Sequence, residues 1–292
     1  VKRILRAAVA FARREPRFRV TGSAASDVGR LRHHNEDRFV FAHLGSDDDA
    51  PPSPLRSMPA TGALLLVADG MGGRAAGDVA STMASRIVAG HLRAAWCARE
   101  ARTSAQVAEA LRAALTLAND EIHEFASGDP DRNGMGTTAT AAVLVGASLA
   151  VAHVGDTRAY VVRGGREQRL TRDHSWAQHL LDTGAASAEE VERHAPANIL
   201  LRALGPQPEV VIDLSEHRVR AGDVLVLCSD GLWSAVAEHE IAAIVSTEAN
   251  LAVAGQALID LANVRGGRDN VTVLVARVET TELACEPDDR AG

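Results

Sequence analysis

The sequence predicts an α+β protein in which antiparallel sheets pack face to face with helices outside them. Two observations carry this expectation. Apolar periodicity runs in the order strands, two helices, many strands, two helices, one strand, without the regular strand–helix alternation of a doubly wound fold. Neighbouring strand candidates are also joined by links as short as Gly146-Ala147 and Gly155-Asp156-Thr157, which permit only antiparallel hairpins. No GxGxxG loop, GxxxxGKS/T loop or internal repeat competes with this reading.

Val20 to Ser26 reads as the first strand, and the polar stretch after it leads into a second, Arg38 to Leu44. Residues 45–60 hold Asp47, Asp48, Asp49 and four prolines, a composition that reads as an exposed loop. Leu64, Leu65, Leu66 and Val67 then form a strand buried on both faces, ending in a bend at Asp69-Gly70 and Gly72-Gly73. A helix from about Gly77 into the Ala98 region is expected to bury Val79, Met83, Ile87, Val88, Leu92 and Trp96. The next helix carries Val107, Leu111, Leu115, Ala118, Ile122 and Phe125 on one face, and Gly128-Asp129-Pro130 ends it.

Strands resume at Thr137 to Val145, Ser148 to Val154, Arg158 to Val162 and Arg169 to Thr171. Residues Ser175 to Leu204 are polar, helix-prone and too long for a turn, which suggests a flap or cap. Val210 to Leu214 and Asp223 to Leu227 read as strands, Glu238 to Val245 and Leu251 to Val264 as helices, and Asn270 to Val278 as the last strand.

The chain of 292 residues is 46% hydrophobic, so it can bury a large core, and with 3% aromatics that core is built from Ala, Val, Leu and Ile. A formal charge of -7 argues against nucleic acid as a partner and suits a chain that concentrates divalent cations. The three cysteines form no CxxC pair, which points away from disulfides and zinc and toward a reducing cytoplasm. No apolar run approaches the roughly 20 residues of a membrane span. Residues 1–19 are basic with a short apolar middle and read as a leader before a domain at 20–279 and an acidic tail at 280–292.

Seven acids fall at strand ends or in adjoining loops: Asp27, Glu36, Asp37, Asp69, Asp156, Asp230 and Asp269. If they converge, their charges repel by several kcal/mol at an intermediate dielectric, so protons or cations must sit among them. Oxygen ligands without paired His or Cys select hard ions such as Mg²⁺, Mn²⁺ or Ca²⁺. Two such ions roughly 3.5 to 4 Å apart can activate a water for in-line attack on phosphorus. Arg32 is close enough in sequence to Asp37 to offer a phosphate its bidentate fork. Asp27 reads instead as a turn cap, His33 and His34 as loop residues, His153 and His174 as hydrogen-bonders, and Cys228 as a buried small residue.

The strings DVGRLRHHNED, VADGMGG, GMGTTAT, VGDTRAY, TRDHS, CSDGLW and GGRDNVTVL, in this order, closely resemble the bacterial type 2C (PPM) metal-dependent protein phosphatases. The resemblance spans about Val20 to Val278 and implies a four-layer αββα sandwich, two antiparallel sheets flanked by helix pairs. It further implies a pair of Mn²⁺ or Mg²⁺ ions held by Asp37, Asp69, the Gly70 carbonyl, Asp230 and Asp269, with Asp69 bridging. Glu36 would act through water, Asp156 would join Asp230 at a third, weaker ion, and Arg32 would bind the substrate phosphate. Asn270 would shape the last metal loop.

Three places depart from the family pattern. Met71 stands where eukaryotic relatives place a histidine proposed as general acid, as it commonly does in bacterial members. Arg268 replaces a smaller residue, and in HAPANILLRALG the proline falls one place late, at Pro196, with Ala197 where a basic residue is frequent. The function implied is hydrolysis of phosphoserine and phosphothreonine in proteins, in a cytoplasmic monomer whose partners are a Ser/Thr kinase and its substrates. The alternative is a silent phosphoprotein-binding module on the same fold, which should have lost one of Asp37, Asp69, Asp230 or Asp269.

Overall fold

A computed structural model describes residues 17–46, 55–72, 76–99, 103–194 and 199–281. In chain order the elements are β1 (Arg17–Asp27), β2 (Asp37–His43), β3 (Arg56–Pro59), β4 (Thr61–Met71), α1 (Ala76–Cys97) and α2 (Ser104–Ser127). After a short 3₁₀ turn come β5 (Gly136–Thr137), β6 (Ala139–Val145), β7 (Ser148–Val154), β8 (Arg158–Arg163), β9 (Arg166–Arg169), α3 (Trp176–Thr183) and α4 (Ala188–His194). The chain continues with β10 (Asp213–Arg218), β11 (Val224–Cys228), α5 (Asp230–Trp233), α6 (Glu238–Thr247), α7 (Leu251–Val264) and β12 (Val271–Thr281).

Among the described residues one sheet has the order β3-β1-β12-β11-β8-β9, and the other β10-β7-β6-β4-β2 with β5 paired to β4. All of the pairings are antiparallel. Strand alternation divides the apolar residues of β4 between two cores. Leu64, Leu66 and Ala68 pack with α1 and α2, whereas Ala63, Leu65 and Val67 face the opposite sheet. β11 and β12 do the same on the other side. Leu225, Leu227, Leu274 and Ala276 enter the central layer, while Val226, Cys228, Val273 and Val275 meet α6 and α7. The result is the αββα sandwich, with each fully buried Leu or Val contributing about 1.5 to 3 kcal/mol.

Several boundaries differ from expectation. Residues 47–54 of the expected loop lie outside the described residues, but 56–59 form an edge strand on β1, with Met58 buried opposite Val20. β4 does not stop at Asp69-Gly70; pairing with β5 carries it through Met71, and the backbone turns at Gly72, φ +137°. Thr138 interrupts the expected 137–145 strand because its hydroxyl accepts the Asp69 N–H at 3.1 Å instead of continuing the ladder. The strand expected at 169–171 is β9, three residues earlier, and the one expected at 210–214 begins only at Asp213.

In α1 the buried stripe is Ala80, Ala84, Val88 and Leu92, one position on from Val79, which is 40% exposed. Small residues let the first half of the helix approach the sheet closely, so there the inner face is set by alanines, while Val88, Leu92 and Trp96 are buried in the second half as expected. Phe125 is also exposed and lies under Arg132, whose guanidinium carbon is 3.9 Å from the ring centre. β1 starts at Arg17, inside the stretch read as a leader, and β12 runs to Thr281, past the expected start of the acidic tail. Residues 1–16 and 282–292 lie outside the described residues, as do Ala195 to Asn198 in the flap.

Candidate active site

Strand register brings the acids together. Asp37 opens β2 and pairs with Asp69 on β4, so both side chains leave the same face of one sheet. In the other sheet Cys228 pairs with both Arg158 and Val273. Asp230 lies two residues beyond Cys228, Asp156 two before Arg158 and Asp269 four before Val273, so all three fall at the same end of that sheet. The loop between β1 and β2 reaches this end as well, tied by the Arg30 N–H to the Gly267 carbonyl at 2.6 Å.

Arg32, Glu36, Asp69, Gly70, Met71, Gly72, Thr138, Asp156, Leu200, Asp230 and Asp269 line one cavity of about 200 Å³ there. Asp37 lies beneath it, 3% exposed. Asp27 does not join them. Its Oδ1 accepts the Gly29 N–H at 2.8 Å and Asn263 Nδ2 at 3.0 Å, so it caps a turn. Neither His33 nor His34 lines the cavity. His153 bonds Thr140 and the Arg172 carbonyl, as a strand hydrogen-bonder should. Cys228 is fully buried.

The acids are held by groups whose sequence positions do not advertise the role. Ser229 Oγ donates to Asp37 Oδ2 at 2.7 Å and accepts the Thr272 N–H at 2.9 Å. Thr138 holds the Asp69 N–H, and Thr137 donates to the Asp69 carbonyl at 2.8 Å. Asn270 Nδ2 donates to the carbonyls of Val28 and His34, while its Oδ1 accepts the Glu36 N–H, so it shapes the loop as expected. Gly70 must be glycine, since a Cβ there would collide with the Gly77 carbonyl at the start of α1. The presence of Ser229 in CSDGLW and of Thr138 in GMGTTAT is the one sequence signal of their importance.

Burial, and then the neighbouring Asp230 and Asp269 charges, push the Asp37 carboxyl up to about 7, against the Ser229 hydroxyl. Burial followed by the Asp269 charge lifts Asp230 to about 6. Asp69 and Asp156 are raised well above the ordinary range, by burial first and then by Asp37 and Asp230 respectively. Arg32 is the nearby cation, its Nη2 on Asp269 Oδ2 at 2.7 Å. Among the described residues no three acidic, histidine or cysteine side chains close into a ligand cage. Like charges gathered in one cavity repel, which adds to burial in raising these carboxyls. Asp37 Oδ1 and Asp230 Oδ1 are nonetheless buried without a hydrogen-bond partner.

A family model described as protein phosphatase 2C matches residues 55–258. The serine/threonine phosphatase Stp of Listeria monocytogenes is 39% identical over 259 residues, covering 88% of this chain and 95% of that protein. Protein phosphatase PhpP of Streptococcus pneumoniae is 34% identical, covering 86% and 94%. The solved Mycobacterium tuberculosis serine/threonine phosphatase PstP/Ppp superposes with a TM-score of 0.75 at 35% identity, covering 90% of this chain and 99% of that one. A solved PstP catalytic domain, described as a complex with two manganese ions, does so at 0.71 and 34%, covering 90% and 99%. Fold and acid-ringed cavity thus define the class, the phosphoric monoester hydrolases of the type 2C architecture. The chain belongs to the protein phosphatase 2C (PPM) family and is a protein serine/threonine phosphatase.

Proposed function

We propose that the cavity binds two divalent cations, Mn²⁺ or Mg²⁺, and hydrolyses phosphoserine and phosphothreonine in proteins with water as the nucleophile. In this reading Asp37, Asp69, the Gly70 carbonyl, Asp230 and Asp269 would hold the ions, and Glu36 would act through water. Asp156 and Asp230 together serve a third, weaker ion. The observation that carries the reading is the pair of buried, partnerless carboxylate oxygens on Asp37 and Asp230. Each such oxygen costs about 1 to 3 kcal/mol unless something satisfies it. An all-oxygen donor set with one guanidinium at its rim suits a hard cation.

When bound, the ions supply Lewis acidity that makes water a competent nucleophile near neutral pH and offsets phosphoryl charge. The chain supplies the rest. Ser229 and Thr138 orient Asp37 and Asp69. Arg32, half-exposed and able to swing from Asp269, grips the substrate phosphate with its fork. Met71 lines the cavity but has no proton to give, so the leaving serine or threonine oxygen takes its proton from water. The names of the relatives support phosphoproteins as substrates, with a Ser/Thr kinase and its targets as partners. Free Cys97 and Cys228 suit a cytoplasmic setting, and no helix among the described residues is long and apolar enough to cross a membrane. We read the working unit as a monomer.

Retention of Asp37, Asp69, Asp230 and Asp269 favours an active enzyme over a silent binding module. The test is phosphate release from a phosphothreonine peptide with and without Mn²⁺. Activity should vanish on chelation and return with Mn²⁺; a silent module would bind the peptide and release nothing.

A further inference from the structure

Behind the Asp156 end of the cavity lies a polar cluster that the reaction above leaves without a part. Trp233 Nε1 donates to the backbone carbonyl of Asp156 at 2.9 Å. Trp233 is also the last residue of the α5 turn that Asp230 opens. One indole therefore joins the backbone of Asp156 to the turn that carries Asp230. The ring is itself held: the Arg158 guanidinium carbon lies 3.6 Å from its centre. That guanidinium is fixed in turn by Asp173, Nε to Oδ1 at 3.0 Å and Nη2 to Oδ2 at 2.6 Å, and by Glu238 at 3.2 Å.

The link that carries Asp156 has need of such an anchor. It is a hairpin connection between β7 and β8 with Gly155 at φ +108°, a conformation that other residues rarely adopt. His174 pins one side, accepting the Gly155 N–H on Nδ1 at 3.1 Å and donating its own N–H to the Gly155 carbonyl at 2.7 Å. Trp233 pins the next peptide. Two carboxylates that serve one ion must keep their relative position within about 0.5 Å, and here one sits in the link after β7 and the other at the start of α5.

We propose that Trp233 is a positioning residue that sets the separation of the Asp156 and Asp230 carboxylates, and through it the affinity for the weakly held divalent cation. This rests on the reading in which those two acids share the third ion. Trp233→Phe keeps a ring for Arg158 to cover and removes only the donor. Trp233→His puts an N–H back, because imidazole Nε2 occupies the ring position of indole Nε1.

The experiment compares these two variants with Asp156→Ala and with the Trp233→Phe/Asp156→Ala pair. Mn²⁺ binding is followed by calorimetry and by the electron paramagnetic resonance of free Mn²⁺, alongside phosphopeptide turnover and thermal melting. Loss of one neutral hydrogen bond should weaken the low-affinity class of Mn²⁺ sites about two- to tenfold in Trp233→Phe, with the tight class unchanged. Trp233→His should recover most of that loss, and Trp233→Phe should add nothing once Asp156 is alanine. A low-affinity isotherm in Trp233→Phe that superimposes on the parent's overturns the proposal. So does an equal fall in turnover with and without Asp156, which marks Trp233 as merely structural. If Asp156→Ala removes the weak class while Trp233→Phe leaves it, only the positioning role fails. If Asp156→Ala keeps the weak class, the third-ion reading fails and the proposal with it.

Discussion

Ser229→Ala isolates what one hydroxyl does for the metal chemistry. The residue is fully buried, and its Oγ donates to Asp37 Oδ2 at 2.7 Å while accepting the Thr272 N–H at 2.9 Å. A hydrogen bond to a charged group is worth about 1.5 to 3 kcal/mol, a factor of about 10 to 150. Burial already holds the Asp37 carboxyl at about 7, with Ser229 pulling the other way. Without the hydroxyl that carboxyl keeps its proton at neutral pH, and a cation must displace it. Apparent Mn²⁺ affinity should therefore fall about ten- to a hundredfold at pH 7 and recover toward the parent value near pH 9, where Asp37 ionises in both proteins. The orphaned Thr272 N–H should also cost about 1 to 3 kcal/mol of stability. The assay is an Mn²⁺ titration of phosphopeptide hydrolysis at both pH values, backed by calorimetry. An unchanged midpoint at pH 7, or the same shift at both pH values, would refute the reasoning.

Asp69→Asn and Asp230→Asn should each abolish phosphopeptide hydrolysis while melting cooperatively, since the core strands are untouched; parent-like turnover of either at saturating Mn²⁺ would end the two-ion assignment. Arg32→Ala should lower kcat/KM about ten- to a hundredfold, mainly through KM, with Mn²⁺ affinity nearly constant. An equal shift in the metal titration would mean that Arg32 organises Asp269 instead. Chelation should destabilise the protein more as pH rises. Asp37 and Asp230 are lifted to about 7 and about 6, above the ordinary carboxylate range, so their protonated forms stabilise the metal-free fold below about pH 4. That contribution is lost as pH climbs through 6 to 7, whereas bound Mn²⁺ replaces the protons. The gap in Tm between Mn²⁺-loaded and chelated protein should widen from pH 5 to pH 8; buried neutral His153 opposes the trend in both forms and cancels in the difference. A pH-independent gap would contradict the shifts.

The acids, the arginine and the order of strands and helices were all legible in the chain, because each is written in a few adjacent residues. Asp37, Asp69, Asp230 and Asp269 sit within two residues of a strand end, and a strand end declares itself through the apolar run that precedes or follows it. Other features depended on packing between distant segments. The alanines Ala80 and Ala84 on the inner face of α1 follow from how near the helix can approach β4, which periodicity alone does not report. The continuation of β4 through Met71 needed Gly136 and Thr137 as partners. Ser229 meets Asp37 across 192 residues, and Trp233 meets Asp156 across 77. Local sequence selects an element and the chemistry at its tip. Which hydroxyl or indole stands beside that tip is decided by strand register, and register is set by burial on both faces of the two sheets at once.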